Sequence, residues 1–202
     1  METKKVIIIQ LLCLISAVVT AQTIMEHRMG FARSQGNIAG GYLFSQKKMM
    51  PYIQGDFDLF LHDKVSMTGE GWFSFPTKKQ QLGLRDNHAI FSGFNVHFTK
   101  QGRWDPYMGF APGMAIGRVG YMDGETYRLS KAAVAPVLSA NLGCNFYIGS
   151  IFNFYLKLKG VAGQLFTKTP NATPLHELKI TAGLGWNARI FHKDNDGRLR
   201  LF

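Results

Sequence analysis

The chain has 202 residues, of which 46% are hydrophobic and 18% charged, with a formal net charge of +10. Two cysteines exclude a disulfide-built scaffold. The basic residues are scattered over loops, turns and strand faces and do not gather with aromatics into one stripe, which excludes nucleic acid as a partner.

The first 21 residues read as a cleaved signal peptide. Lys4 and Lys5 form a basic head, Val6–Val19 is an apolar run, and Val19-Thr20-Ala21 offers small residues for cleavage after Ala21. The run is too short for a membrane helix, which needs about 20 apolar residues. Leu12 before Cys13 argues against lipidation. The expected mature chain keeps 181 residues, enough for one domain, with 21 basic and 12 acidic side chains and a net charge of +9. Cys144 is its one cysteine, and none of its windows approaches a membrane helix.

Residues 22–35 read as a lead-in, and residues 36–192 contain eight segments with an alternation of period two. The first, near Asn37–Phe44, is blurred by Gly40 and Gly41. The second, Pro51–Leu61, sets Ile53, Phe57, Leu59 and Leu61 against Tyr52, Gln54, Asp56 and Asp58. The third, Val65–Phe75, sets Val65, Met67, Phe73 and Phe75 against Ser66, Thr68, Glu70 and Ser74. The fourth spans Ala89–Thr99, the fifth Pro106–Arg118 and the sixth Val134–Tyr147. The seventh, Ile151–Leu165, opposes Phe152, Phe154, Leu156 and Leu158 to Asn153, Tyr155, Lys157 and Lys159. In the eighth, Leu178–Ile190, the alternation is nearly free of error, with Leu178, Ile180, Leu184, Trp186 and Ile190 facing away from Lys179, Thr181, Asn187 and Arg189. Residues 193–202 read as a polar periplasmic tail.

These segments are longer than an ordinary strand of about 5–6 residues and suit tilted strands that cross a bilayer. The joints support this. His62–Lys64, Lys100–Asp105 and Ile148–Ser150 are short, whereas Ser45–Met50, Pro76–His88, Val119–Lys131 and Phe166–Glu177 are longer. Short turns on one side and long loops on the other are the pattern of an all-β, eight-stranded antiparallel up-and-down transmembrane β-barrel.

With the apolar faces in lipid, the polar faces line the lumen. Asp56, Asp58 and Glu70 then meet Lys157, Lys159, Lys179 and Arg189 across an interior that side chains can fill. Buried charges must pair, so the expectation is an internal salt-bridge plug, with a narrow gated conduit as its rival. Trp72 points inward as a space filler, His97 joins the polar network, and Gly109, Gly113, Gly117, Gly143, Gly183 and Gly185 leave room in a crowded lumen.

No catalytic or metal-binding signature stands out. The six histidines share no ligand spacing, and no nucleophile elbow, phosphate loop or dinucleotide fingerprint is present, so no cofactor is expected. Lipid-A-modifying enzymes place a Ser and a His on the outer wall of a small barrel. Ser92 faces outward, but His97 has the opposite parity.

Tyr52–Gly71, Asp105–Gly113 and Gly183–Asn187, together with a cleavage site followed by Gln22, resemble the small outer-membrane β-barrel proteins of Bacteroidetes-type bacteria. The resemblance implies a fold and an outer-membrane address, with no assigned activity. The implied partners are outer-membrane lipids and lipopolysaccharide, whose phosphates suit the basic loops at Lys47-Lys48 and Lys78-Lys79 with Arg85, plus the export and barrel-assembly machinery. A monomer is expected. The leading reading is a non-enzymatic envelope protein with a structural or surface-binding role. A soluble lipocalin-like ligand-binding barrel and a lipid-A-modifying enzyme are the alternatives.

Overall fold

The computed structural model describes residues 28–75, 82–167, 172–193 and 199–201. The expected signal peptide and the lysines at 78 and 79 lie outside the described residues. Eight long strands form the wall: β1 (Phe31–Leu43), β2 (Lys48–His62), β3 (Val65–Ser74), β4 (Gly83–His97), β5 (Trp104–Asp123), then, after the short β6 (Thr126–Leu129), β7 (Ala133–Ile148), β8 (Phe152–Leu165) and, after the two-residue β9 (Thr173–Pro174), β10 (Glu177–Arg189). Each pairs antiparallel with its neighbour. β10 pairs both β8 and β1, with Phe31 opposite Arg189 and Trp186 opposite Phe152, so the sheet closes on itself. Closure leaves no long unpaired edge.

Side-chain parity runs along the wall strands because successive residues point to opposite faces, and it slips by one in β4, where Asp86 and Asn87 are both buried at a register shift. Outward positions carry Phe154 at 53% exposure, Leu142 at 57% and Ile90 at 59%, among many others. Inward positions are buried. Among the described residues no helix is long and apolar enough to cross a membrane. Any crossing would be made by these strands.

Four expectations need correction. β1 begins at Phe31, inside the stretch read as a lead-in, and Arg33 and Gln35 point inward. Its outward partners there include Ser34 and Gly36, which give no apolar signal. The expected loop at Val119–Lys131 is mostly a hairpin in which β5 continues to Asp123 and pairs with β6. Its two-residue turn is Gly124-Glu125, with Gly124 at φ +61, a conformation that favours glycine as the first central residue of a hairpin turn. The expected loop at Ser45–Met50 shrinks to a single 3-10 turn, Phe44–Gln46, followed by Lys47 in the left-handed region. After β10, β11 (Phe191–Lys193) pairs with β12 (Leu199–Leu201), so the described part of the tail is a hairpin.

The lumen is stratified. Toward the end with the short turns, its lining is polar and charged. Toward the other end, Leu43, Met50, Leu84, Leu165 and Leu175 join Phe91, Val137 and Val161 in one apolar cluster over Ala111, Ala115 and Ala135. The sequence reading assigned one polar character to the whole interior. Toward the loop-bearing end hydrocarbon instead packs among the charged groups, with Leu43 and Val161 both opposite Glu177 in register and Asp86 and Asn87 buried nearby.

Candidate functional site

The distinguishing feature is the charged interior. Among the described residues, Arg28, Arg33, Lys157, Lys159 and Lys179 are buried together with Asp56, Asp58, Glu70, Asp86, Asp105 and Glu177. An ion without a partner in such a place costs several kcal/mol, so the arrangement stands or falls on pairing.

Three layers of pairs follow the barrel axis. Nearest the short turns, Asp105 of β5 is the hub. It accepts from Arg28 Nη1 at 2.6 Å, from Tyr147 Oη at 3.0 Å and from Asn145 Nδ2 at 3.1 Å, with Arg33 Nη1 at 3.6 Å. His97 Nδ1 lies 2.9 Å from both of its oxygens. Arg33 gives its main contact to Asp58 at 2.5 Å, and Asn95 donates to the other Asp58 oxygen at 2.9 Å. The two guanidinium groups are also close to aromatic faces, Arg33 over Phe60 and Tyr107 and Arg28 over Tyr147.

In the middle layer, Lys157 crosses the lumen from β8 to Asp56 on β2 and sits 3.4 Å from Glu70 on β3. Lys159 reaches the second Glu70 oxygen at 3.2 Å, and Trp72 Nε1 donates to that same oxygen at 3.0 Å. In the upper layer Lys179 pairs with Glu177 of its own strand at 2.9 Å. Glu177 also accepts from Tyr52 Oη at 2.6 Å, and the Lys179 ammonium lies 3.5 Å from the centre of the Tyr52 ring.

Six of the seven residues singled out from the sequence are therefore buried in the lumen, but not all in the pairings expected. Lys157 and Lys159 meet Asp56 and Glu70 across the barrel. Asp58 is held by Arg33 from the adjacent strand, and Lys179 by Glu177. Arg189 does not join them. It is exposed at the last position of β10, where the wall ends, and its guanidinium lies 4.6 Å over the Phe31 ring. The residues missed were Arg28, Arg33, Asp86, Asp105 and Glu177; Asp86 fell in the stretch read as the loop Pro76–His88 and accepts from the half-exposed Arg118 at 2.8 Å. Arg33 has the inward parity of Asn37, and Asp105 that of Tyr107. Both were legible had their strands been started earlier. Arg28 precedes β1 and carries no periodic signal.

Crowding explains two lumenal glycines directly. A Cβ at Gly109 would lie 1.9 Å from Asn95 Oδ1, and one at Gly143 would lie 2.3 Å from the Tyr107 ring. Trp72 is fully buried, edge-on to Tyr52.

The bottom layer also contains a hydrogen-bond chain from Ser66 Oγ to His97 Nε2, 3.0 Å, and on to Asp105. Its order is that of a nucleophile, a base and an orienting carboxylate. Ser66 is wholly buried, however, and His97 is flanked by the rings of Phe60 and Tyr107 at 4.6 and 5.4 Å. The hydroxyl faces packed side chains, with Asp105 already shared among three other donors and paired at 3.6 Å with Arg33. Among the described residues no group of three or more His, Cys, Asp or Glu side chains has the geometry of a metal site.

Neither a protein-family model nor a curated protein sequence matches the chain. Solved structures do. Neisserial surface protein A is 11% identical at a TM-score of 0.58, over 79% of this chain and 96% of its own. Ail, the attachment invasion locus protein of Yersinia pestis, is 10% identical at 0.53, over 79% and 99%. The outer membrane protein OprG from Pseudomonas aeruginosa is 11% identical at 0.53, over 81% and 98%. The chain has the fold of small eight-stranded outer-membrane β-barrels.

Proposed function

We propose that this chain is a non-enzymatic integral outer-membrane β-barrel with a closed lumen, serving the envelope structurally or by binding at its loop-bearing end. The observation that carries the reading is the inversion of polarity. Large apolar side chains such as Phe94, Phe110, Leu142 and Phe154 are about half exposed around the wall, while eleven acidic and basic residues and Trp72 are buried within it. A water-soluble ligand-binding barrel would carry its apolar face inward. Here that face is outside, and a bilayer is the medium that would cover it.

Two kinds of filling support a closed interior: the ion-pair layers and the apolar cluster that packs around the middle and upper pairs, with Lys159 4.2 Å from the centre of the Phe91 ring. The buried Ser66 and the heavily shared Asp105 support a structural role for the Ser–His–Asp chain. The residues similar to Bacteroidetes-type barrels support an origin in such an envelope, reached through the export and barrel-assembly machinery, with the chain acting as a monomer. The orientation proposed puts the short turns in the periplasm and the β5–β6 hairpin outside.

Membrane fractionation with detergent extraction tests the location, and heat-modifiable gel migration tests the folded barrel. Recovery in the soluble fraction without detergent would overturn the reading. Planar-bilayer recording tests closure, and a large, steady, porin-like conductance would show that the lumen is open.

A further inference from the structure

The chain enters the barrel through a short turn that belongs to no strand. The ladders of β1 begin at Phe31 toward β10 and at Ala32 toward β2, so Arg28 and Met29 take no part in the sheet. Gly30 anchors the turn to the wall. It sits at φ +84, its N–H donates to the Phe60 carbonyl oxygen, and its carbonyl accepts from Ile190 and Phe191. A Cβ there would lie 2.0 Å from the Phe191 carbonyl oxygen, so the position suits glycine. Beyond that anchor the turn is tied down through side chains. Asp63 Oδ1 accepts from the Arg28 and Met29 N–H groups at 2.9 and 3.3 Å, and the Arg28 side chain runs into the lumen.

Its guanidinium ends in a socket built from β5, the β4–β5 turn, β7 and β2. Nη1 donates to Asp105 Oδ1 at 2.6 Å and to the Thr99 carbonyl oxygen at 3.0 Å, and Nη2 donates to Thr99 Oγ1 at 3.4 Å. The centres of the Tyr147 and Phe60 rings lie 5.4 and 6.0 Å away. A fork of oxygen acceptors beside aromatic rings suits a flat, delocalised cation better than a compact ammonium. The fit to Arg28 is incomplete, because its Nε is buried with no hydrogen-bond partner, and that weakens the hold. Behind the socket stand His97 and the wholly buried Ser66, 3.0 Å apart. Arg28 and Arg33 balance Asp58 and Asp105 in this layer. Withdrawal of Arg28 leaves one negative charge in excess, so the vacated space attracts a cation.

We infer that residues 28–30 are a latch over a guanidinium-binding socket: Arg28 fills the socket from within the chain, and pivoting at Gly30 withdraws it and admits a guanidinium group from the short-turn end. The inference rests on the closed-lumen reading and adds to it a moving part and a class of ligand. The barrel stays closed as the latch moves, because no ladder bond involves residue 28 or 29. The middle ion pairs also stay in place, so release opens a vestibule and no channel. In the proposed orientation this end faces the periplasm, and an arginine side chain of a periplasmic polypeptide is the occupant that the socket fits.

The test uses the full chain with Cys144→Ser in zwitterionic detergent micelles. It follows the reaction of an introduced thiol with a water-soluble cationic methanethiosulfonate. Ser66→Cys, behind the socket, is expected to react slowly, and adding Arg28→Ala should speed the reaction about tenfold or more. Millimolar methylguanidinium should restore slow reaction, whereas tetramethylammonium at the same concentration should not. Ser139→Cys, in register with Val161 and so level with Glu177 above the middle ion pairs, should stay unreactive with or without Arg28. An unchanged rate at Ser66→Cys overturns the latch, and so does equal acceleration at Ser139→Cys, which would mean general loosening. Equal protection by the two cations, or none by methylguanidinium, overturns the socket. Fast reaction of Ser139→Cys in the chain that keeps Arg28 would instead overturn the closed-lumen reading, so the failures are separable. Hydrogen exchange of the unsubstituted chain gives a measurement that depends on no variant. The Arg28 and Met29 amides should exchange about tenfold or more faster than those of the β1–β2 ladder, and equal protection would overturn the latch.

Discussion

Arg28, three residues before the first strand, donates to Asp105 across 77 positions of sequence at 2.6 Å, with both side chains essentially inaccessible. The contact closes the short-turn end of the lumen. Arg28 also donates to the Thr99 carbonyl oxygen at 3.0 Å, and its own backbone N–H donates to Asp63 Oδ1 at 2.9 Å. The chain entering β1 is thus tied to two turns at once.

Asp105→Ala should therefore be among the most destabilising single changes. It strips Arg28 of its carboxylate and leaves His97, Tyr147 and Asn145 without their shared acceptor. An uncompensated buried charge costs about 3–5 kcal/mol. Urea unfolding in lipid vesicles should register a loss of that order, against less than about 0.5 kcal/mol for Arg189→Ala at the exposed rim. Equal effects of the two would refute the hub assignment.

The crossing pair gives a coupling prediction. Lys157→Met leaves Asp56 without its charged partner and Glu70 with Lys159 alone, whereas Lys157→Met with Asp56→Leu removes both ends of one pair. The double variant should be less destabilised than the sum of the singles by about 0.5–3 kcal/mol. Additivity in the unfolding cycle would mean that the two residues do not interact.

Lipid exposure predicts a face-dependent cost. Phe154→Arg or Leu158→Arg on the outward face of β8 should cost roughly 2–4 kcal/mol near the bilayer midplane, falling toward either rim. Ile151→Arg, exposed in the turn at the end of the barrel, should cost little by the same measurement. A flat profile along the outward face of β8 would argue against membrane embedding.

Topology is open to labelling of intact cells. A cysteine or epitope introduced at Glu125, in the tip of the β5–β6 hairpin, should react with an impermeant reagent from outside. One at Ser150, in the turn between β7 and β8, should not. Surface labelling at Ser150 would invert the proposed orientation.

By itself the sequence determined the strand count, the parity of the wall strands and the burial of Asp56, Asp58, Glu70, Lys157, Lys159 and Lys179. All of these follow from a period-two pattern that is local and survives small errors in strand ends. Only the tertiary structure decided who pairs with whom. Strand parity puts Asp58 and Lys179 inside but says nothing of height along the axis, which depends on the stagger of eight tilted strands around a closed sheet. That stagger sets Arg33 beside Asp58, brings Tyr52 onto Glu177, lifts Arg189 out at the rim, and brings Arg28 onto Asp105. The apolar cluster was hidden for the same reason. Leu43, Leu84, Leu165 and Leu175 sit at strand ends or in connections, each uninformative alone, and become a core only when closure brings those ends to one level.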